Sequence, residues 1–416
     1  MVQRRHVFFF AGFDPKGPGH YHALYRAQAR LQGAVTGVAY TVGPRQGSRA
    51  SHRVQWAVEA DPGGPAGKSI EAIDNLDGGA ATQASIEMLR WDDIVRRHWQ
   101  RGHWSPVLGA LPAVAHYLRS GAMKRLYALS RPPVLAAGLP IAAGALAIAL
   151  AMGVAVAAGL MLQRADGLAG LPAIAVSLAL AVLLAYAAGG VFRRIRIDWF
   201  VRLVRFSHRI ARGQVPELEQ RMAEFGAVIA DRVRRGAADG DGAPAEVLVV
   251  GHSVGAITAA MALAAALQRD PGLCEHGPQV SLLTLGQCLP MLGVLPGAEP
   301  FRAGLLALAG SGIDWLDVSS PLDWAAFPLV DPVAASVPGH AARDWHPRLV
   351  SPRFHLLFSE AGQARLRAER FRVHLQYLHA SERPGRYDYF AITAGPLALR
   401  ERFADEPRHD PDSRAP

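Results

Sequence analysis

The sequence predicts an α/β protein with a mostly parallel sheet flanked by helices, interrupted by a two-helix transmembrane hairpin. Three observations lead there. Strand-like runs such as residues 246–250 (EVLVV) alternate with helical stretches such as residues 216–233, the pattern of a parallel sheet covered on both faces. Residues 133–162 and 168–192 are two apolar runs without a charge, each longer than the ~20 residues that cross a bilayer. The chain has 416 residues, 50% hydrophobic and 19% charged, which excludes disorder as a whole and allows a sizeable core.

The N-terminal part opens with residues 6–12 (HVFFFAG), a buried strand closed by the turn-rich DPKGPG. Residues 21–31 read as a helix, and 34–42 and 51–60 as strands, with loops at 61–67 and 77–79. Residues 86–117 read as helical in part, with Trp91, Trp99 and Trp104 among Arg and His. His98 and His103 lack helical ligand spacing and have no nearby cysteine, so they read as surface or interfacial residues and not as a metal site. Beyond the hairpin, Leu218, Met222, Phe225, Ile229 and Val233 recur at helical spacing. A loop at 239–244 leads to the strand 246–250 and an Ala-rich helix over 257–267. Residues 280–285 and 313–319 read as further strands, and 354–358 as the last. The division expected is 1–130 for the first part of the α/β domain, 131–192 for the hairpin, 193–400 for its second part and 401–416 for a frayed tail.

Residues 163–167 read as the turn between the two spans, and the Ala and Gly content lets their backbones approach closely. Arg119, Lys124, Arg125 and Arg131 precede the hairpin. Arg193, Arg194, Arg196, Arg202, Arg205, Arg209 and Arg212 follow it, with Asp198 the one acid among them. The positive-inside rule puts both ends in the cytoplasm and the turn outside, in a bacterial-type inner membrane. Residues 195–210 interleave Arg with Trp199, Phe200, Leu203, Val204 and Phe206, the pattern of a basic helix lying on anionic headgroups. The spans hold no Asp, Glu, Lys, Arg or His, which argues against an ion path. The net charge of +9 points to an anionic partner. The Arg cluster abuts a span, so lipid is expected there and nucleic acid is not. Oligomeric state is not legible. Cys274 and Cys288, the only cysteines, exclude a disulfide scaffold and read as small core residues.

Between the strand 246–250 and the helix 257–267 stands Gly251-His252-Ser253-Val254-Gly255, a G-x-S-x-G in strand–turn–helix context. Such a turn holds the serine hydroxyl above the sheet, while glycine on each side leaves room for the neighbouring strand and helix. The Val254 amide, at the helix start, can donate to a developing oxyanion. Here the sequence resembles the α/β-hydrolase superfamily, in its lipase and esterase branches, from VLVVGHSVGAITAA onward, with HVFFFAGF as an early strand. The hairpin has no counterpart in a typical soluble member.

The resemblance implies a serine nucleophile, then an acid, then a histidine in chain order. Ser253 is the nucleophile. Asp323, in the loop after strand 313–319, is the first candidate acid, with Asp317 and Asp331 as runners-up. His340, His346, His355, His374 and His379 follow it; His374, in HLQY, is preferred, ahead of His379 and His355. No HGGG-type oxyanion motif is present, and the turn Gly12-Phe13-Asp14 could take its place, with Phe13 as second amide donor. The expected activity is hydrolysis of an ester or thioester, an acyl lipid among them, without metal or organic cofactor. The alternative is a non-catalytic membrane protein that keeps the fold as a scaffold.

Overall fold

The computed structural model describes residues 1–47, 52–63, 81–99, 105–166, 171–194, 198–238, 243–275, 277–340 and 347–405. It divides into two compact units: Met1–Arg96 with Ala211–Pro416, and Arg97–Ile210. The first unit begins with β1 (Arg4–Phe10), α1 (Pro18–Thr36), β2 (Ala39–Val42), β3 (Arg53–Asp61), β4 (Thr82–Leu89) and α2 (Asp92–His98). The second holds α3 (Ser105–Arg119), α4 (Ala122–Leu129), α5 (Arg131–Asp166), α6 (Leu171–Arg194) and α7 (Asp198–Ala211). The chain then returns through α8 (Pro216–Ala238), β5 (Glu246–His252), α9 (Gly255–Arg269), β6 (Gln279–Leu285), α10 (Leu289–Gly293) and α11 (Glu299–Ala309). It continues with β7 (Asp314–Val318), α12 (Pro332–Ser336), β8 (Arg348–Val350), α13 (Phe354–Leu357), α14 (Glu360–Ala368), α15 (Arg370–Gln376), α16 (Tyr389–Ala394) and α17 (Leu399–Arg402).

The strands form one sheet in the order β2-β3-β4-β1-β5-β6-β7-β8. β3 runs antiparallel to both neighbours, and the other pairs are parallel. Every residue of β5 is buried, as a continuous apolar run in a doubly covered sheet must be. Alternation sorts the phenylalanines of β1. Phe10 meets Phe225 of α8 at 5.9 Å, while Phe9 meets Tyr21 of α1 on the other face at 5.5 Å. Tyr25 of α1 closes that second face against Phe390 of α16 at 5.1 Å. From β1 the chain leaves toward β2–β4, and from β5 it leaves toward β6 on the opposite side. The carboxyl ends of β1 and β5 therefore flank a topological switch point, where open α/β sheets bind ligands.

Several elements differ from the sequence expectation. Residues 34–36 end α1, because Gly37 takes a left-handed conformation (φ 79°) and stops the helix before the short β2. Residues 82–89 are strand β4, where a helical reading had reached back to 86; pairing with β1 and β3 decides the matter. Residues 354–357 are helix α13, and the last strand is β8, which pairs with β7. Cys288 is buried, but Cys274 is only partly so.

In the second unit α5 packs against α6. Residues 163–166, expected as a turn, are the end of α5, and the rest of the connection lies outside the described residues. Among the described residues one helix, Arg131–Met161, is long and apolar enough to cross a membrane; the apolar part of its partner, Ile174–Leu184, is shorter. The unit also extends beyond 131–192 to take in α3, α4 and most of α7. The apolar side of α7 is covered by protein. Val201, Leu203, Val204 and Phe206 are buried, Arg202 stacks on Trp99 at 4.4 Å, and Arg209 Nη1 bonds His98 Nδ1 at 2.8 Å. Trp199 and Phe200, by contrast, are only partly buried.

Candidate active site

Ser253 occupies the two-residue turn between β5 and α9 with φ 60°, a left-handed conformation rare outside glycine. Surrounding packing maintains that strain. A Cβ on Gly251 would stand 2.5 Å from the Gly255 carbonyl oxygen, and one on Gly255 would stand 2.2 Å from that of Phe10. Both glycines are thus required by close approach: one lets strand meet helix, and the other lets the helix start lie against β1. The Ser253 amide donates to the Leu285 carbonyl at 2.8 Å, fixing the turn to β6. Its Oγ lies 3.7 Å from Cys288 Sγ.

The acid and base come from far along the chain. Asp323 follows β7 and His374 lies in α15; both are fully buried, and His374 Nδ1 meets Asp323 Oδ2 at 2.8 Å. The hydroxyl of Tyr377 donates to the same Oδ2 at 3.1 Å and accepts from the Ser320 amide at 2.8 Å. Asp323 Oδ1 accepts from the Ala325 amide at 2.9 Å. Three donors thus converge on one buried carboxylate. Such bonds fix its direction.

The other candidates have different partners. Asp317 accepts from the hydroxyls of Thr284 (2.6 Å) and Ser319 (2.9 Å). Asp331 caps α12, accepting from the amides of Val333 and Ala334. His355 is exposed, His340 is partly buried, and His379 Nδ1 contacts the Leu375 carbonyl at 2.7 Å. His346 lies outside the described residues.

Gly12 and Phe13 follow β1, and a Cβ on Gly12 would stand 3.2 Å from Ser253 Cβ, so this turn abuts the nucleophile position. The Asp14 amide bonds back to the Gly12 carbonyl at 2.7 Å, and Trp91 Nε1 donates to the Ala11 carbonyl at 2.9 Å. The ring of Phe13 is buried beside Trp91. Val254 is the N-cap of α9. The Val254 and Phe13 positions therefore lie on the two elements that meet at Ser253.

Sequence reasoning passed over three residues here. Cys288 faces Ser253, and burial pushes its thiol up to about 12, so it stays protonated. Tyr377 was noted only as part of HLQY. His252 was the variable position of the motif, yet it is buried, its Nε2 lies 2.7 Å from the His374 carbonyl oxygen, and the two rings are 5.0 Å apart. Burial pushes His252 down to about 3, so its ring is neutral. The signal for both aromatic residues was proximity in sequence to a candidate, but only the fold shows what they touch.

The strained serine thus stands at the switch point of the sheet, and the His374–Asp323 pair packs on His252, its neighbour in the chain. No protein family, no curated protein and no solved structure matches this chain.

Proposed function

We propose that the chain is a membrane-anchored serine hydrolase that cleaves an ester or thioester, with acyl lipids among the candidate substrates. The observation that carries this reading is the convergence of Ser253, held at φ 60°, with a buried His374–Asp323 pair whose histidine packs on His252, the neighbour of that serine. In the reaction, Ser253 Oγ attacks the acyl carbonyl and His374 takes the hydroxyl proton. The bond to the leaving group then breaks, and His374 returns the proton to it. Water attacks the acyl-enzyme in the same manner and releases the acid. Asp323 holds the Nδ1–H tautomer and stabilises the imidazolium, while the Val254 and Phe13 amides face the oxyanion. The apolar α5–α6 pair serves as the anchor, and the basic residues that flank it in the sequence suit anionic headgroups.

One observation favours the scaffold reading: Ser253 is 1% exposed, so a substrate reaches it only after its surroundings move. A fluorophosphonate probe separates the two. The detergent-solubilised chain should be labelled at Ser253, and Ser253→Ala should abolish labelling without loss of fold. His374→Ala and Asp323→Asn should slow it by roughly 10²- to 10⁴-fold. A folded wild-type chain that resists the probe and hydrolyses no short-chain ester is a scaffold.

A further inference from the structure

We infer that His252 is a positioning residue, whose ring holds the backbone of His374 in register with Ser253. The inference rests on the hydrolase reading and deepens it. α15 is a short helix that ends at Gln376, so the His374 carbonyl lies in its last turn, where helix carbonyls depend on donors from outside. His252 supplies that donor at 2.7 Å. A carbonyl only accepts, so His252 carries its proton on Nε2 and donates it. Its own backbone is fixed as the last residue of β5, in register with Leu285 of β6. Gly251 behind it lets the strand lie so close to α9 that there is no room for a side chain. One bond therefore ties the base to the residue adjoining the nucleophile, across 122 positions of chain.

Asp323 cannot do this alone. It grips the far nitrogen of the His374 ring and sets the ring's tautomer and direction, but leaves the backbone of α15 to other contacts. Removing the His252 donor should let α15 settle away from β5, and a shift of about 1 Å at a catalytic group can cost on the order of 100-fold in rate. The neutral ring matters as well: a charged neighbour 5.0 Å away would oppose formation of the His374 imidazolium, and a neutral one does not.

The test uses the full-length, detergent-solubilised chain and a fluorophosphonate probe, with rates expressed per folded molecule from thermal melts. His252→Gln places an N–H near the position of Nε2, His252→Leu fills similar space without a donor, and His252→Asn has a donor too short to reach. Labelling of the Gln variant should stay within about threefold of wild type, while the Leu and Asn variants fall by roughly 10- to 100-fold and still react at Ser253. A merely structural role lowers the melting temperature without separating Gln from Leu and Asn. Equal rates for all three folded variants overturn the inference, and if the Leu variant fails to fold, a wild-type rate for Asn does so. Wild-type protein that does not react removes the hydrolase reading itself, and this inference with it.

Discussion

Two buried aspartates near the end of β7 differ in what surrounds them. Asp323 meets a histidine, a tyrosine and a backbone amide, whereas Asp317 meets the hydroxyls of Thr284 and Ser319. Burial pushes Asp317 up to about 7, against the pull of those two hydrogen bonds. The ordinary aspartate value in an unfolded chain is about 3.9. A raised folded value means that the fold favours the protonated form. That contribution to stability is full below pH ~4 and is lost as pH rises through about 7. Asp317→Asn should therefore melt above wild type at pH 8, and the gap should shrink toward pH 5. A gap as large at pH 5 as at pH 8 would contradict the assignment. The same variant should keep probe labelling at Ser253, since Asp317 does not touch His374's ring partner. In the sequence the two aspartates looked alike but for their distance from a strand end; a carboxylate's role depends on partners that arrive from other elements.

Elements were legible where local pattern and tertiary setting agree. The strand, turn and helix around Ser253 follow from a β-branched run, two glycines and an Ala-rich stretch. β4 mixes polar and apolar residues (TQASIEML) and α13 is only four residues long, and periodicity alone does not decide such segments. α7 is instructive in another way: its Arg and aromatic residues suggested a membrane surface, but Phe206 is buried and lies 5.5 Å from the ring of His98. Phe206→Ala should accordingly destabilise the chain by ~3–5 kcal/mol, read as a lower melting temperature. A stability equal to wild type, with weaker binding to anionic vesicles, would instead return α7 to the membrane surface. Gly255 tests the elbow in the same currency of packing. Gly255→Ala should cost ~3 kcal/mol or more, because its Cβ would stand 2.2 Å from a carbonyl oxygen. Gly138→Ala in α5, with nothing within 4 Å, should be tolerated.

At the scale of the whole molecule, the α/β sheet is interrupted after α2 and resumes at α8, with the apolar pair α5–α6 in the intervening unit. α5 has 36 residues and so spans ~54 Å, well beyond the ~30 Å hydrocarbon core of a bilayer. If the chain is oriented by its basic flanks, the exposed end of α5 near Arg164 faces outward. A cysteine placed at Arg164, in a chain with Cys274→Ser, should react with an impermeant maleimide in intact cells, whereas one at Lys124 should react only after lysis. The reverse pattern would invert the orientation, and extraction of the chain by alkaline carbonate would dispense with the anchor.

By itself the sequence determined what local chemistry decides: the class of sheet, from β-branched runs between helical ones; the apolar pair, from two charge-free stretches; and the Ser253 turn, from glycines at fixed offsets. It narrowed the base to five histidines and favoured His374 among them, without showing what any of them touches. Only the tertiary structure decided which of them meets Asp323, that His252 and Tyr377 bind the same pair, and that α7 is packed in protein. The reason is range: a turn is set by neighbours a few residues away, whereas the His374–Asp323 contact joins groups 51 positions apart. It exists only because β5, β7 and α15 deliver their ends to one edge of the sheet.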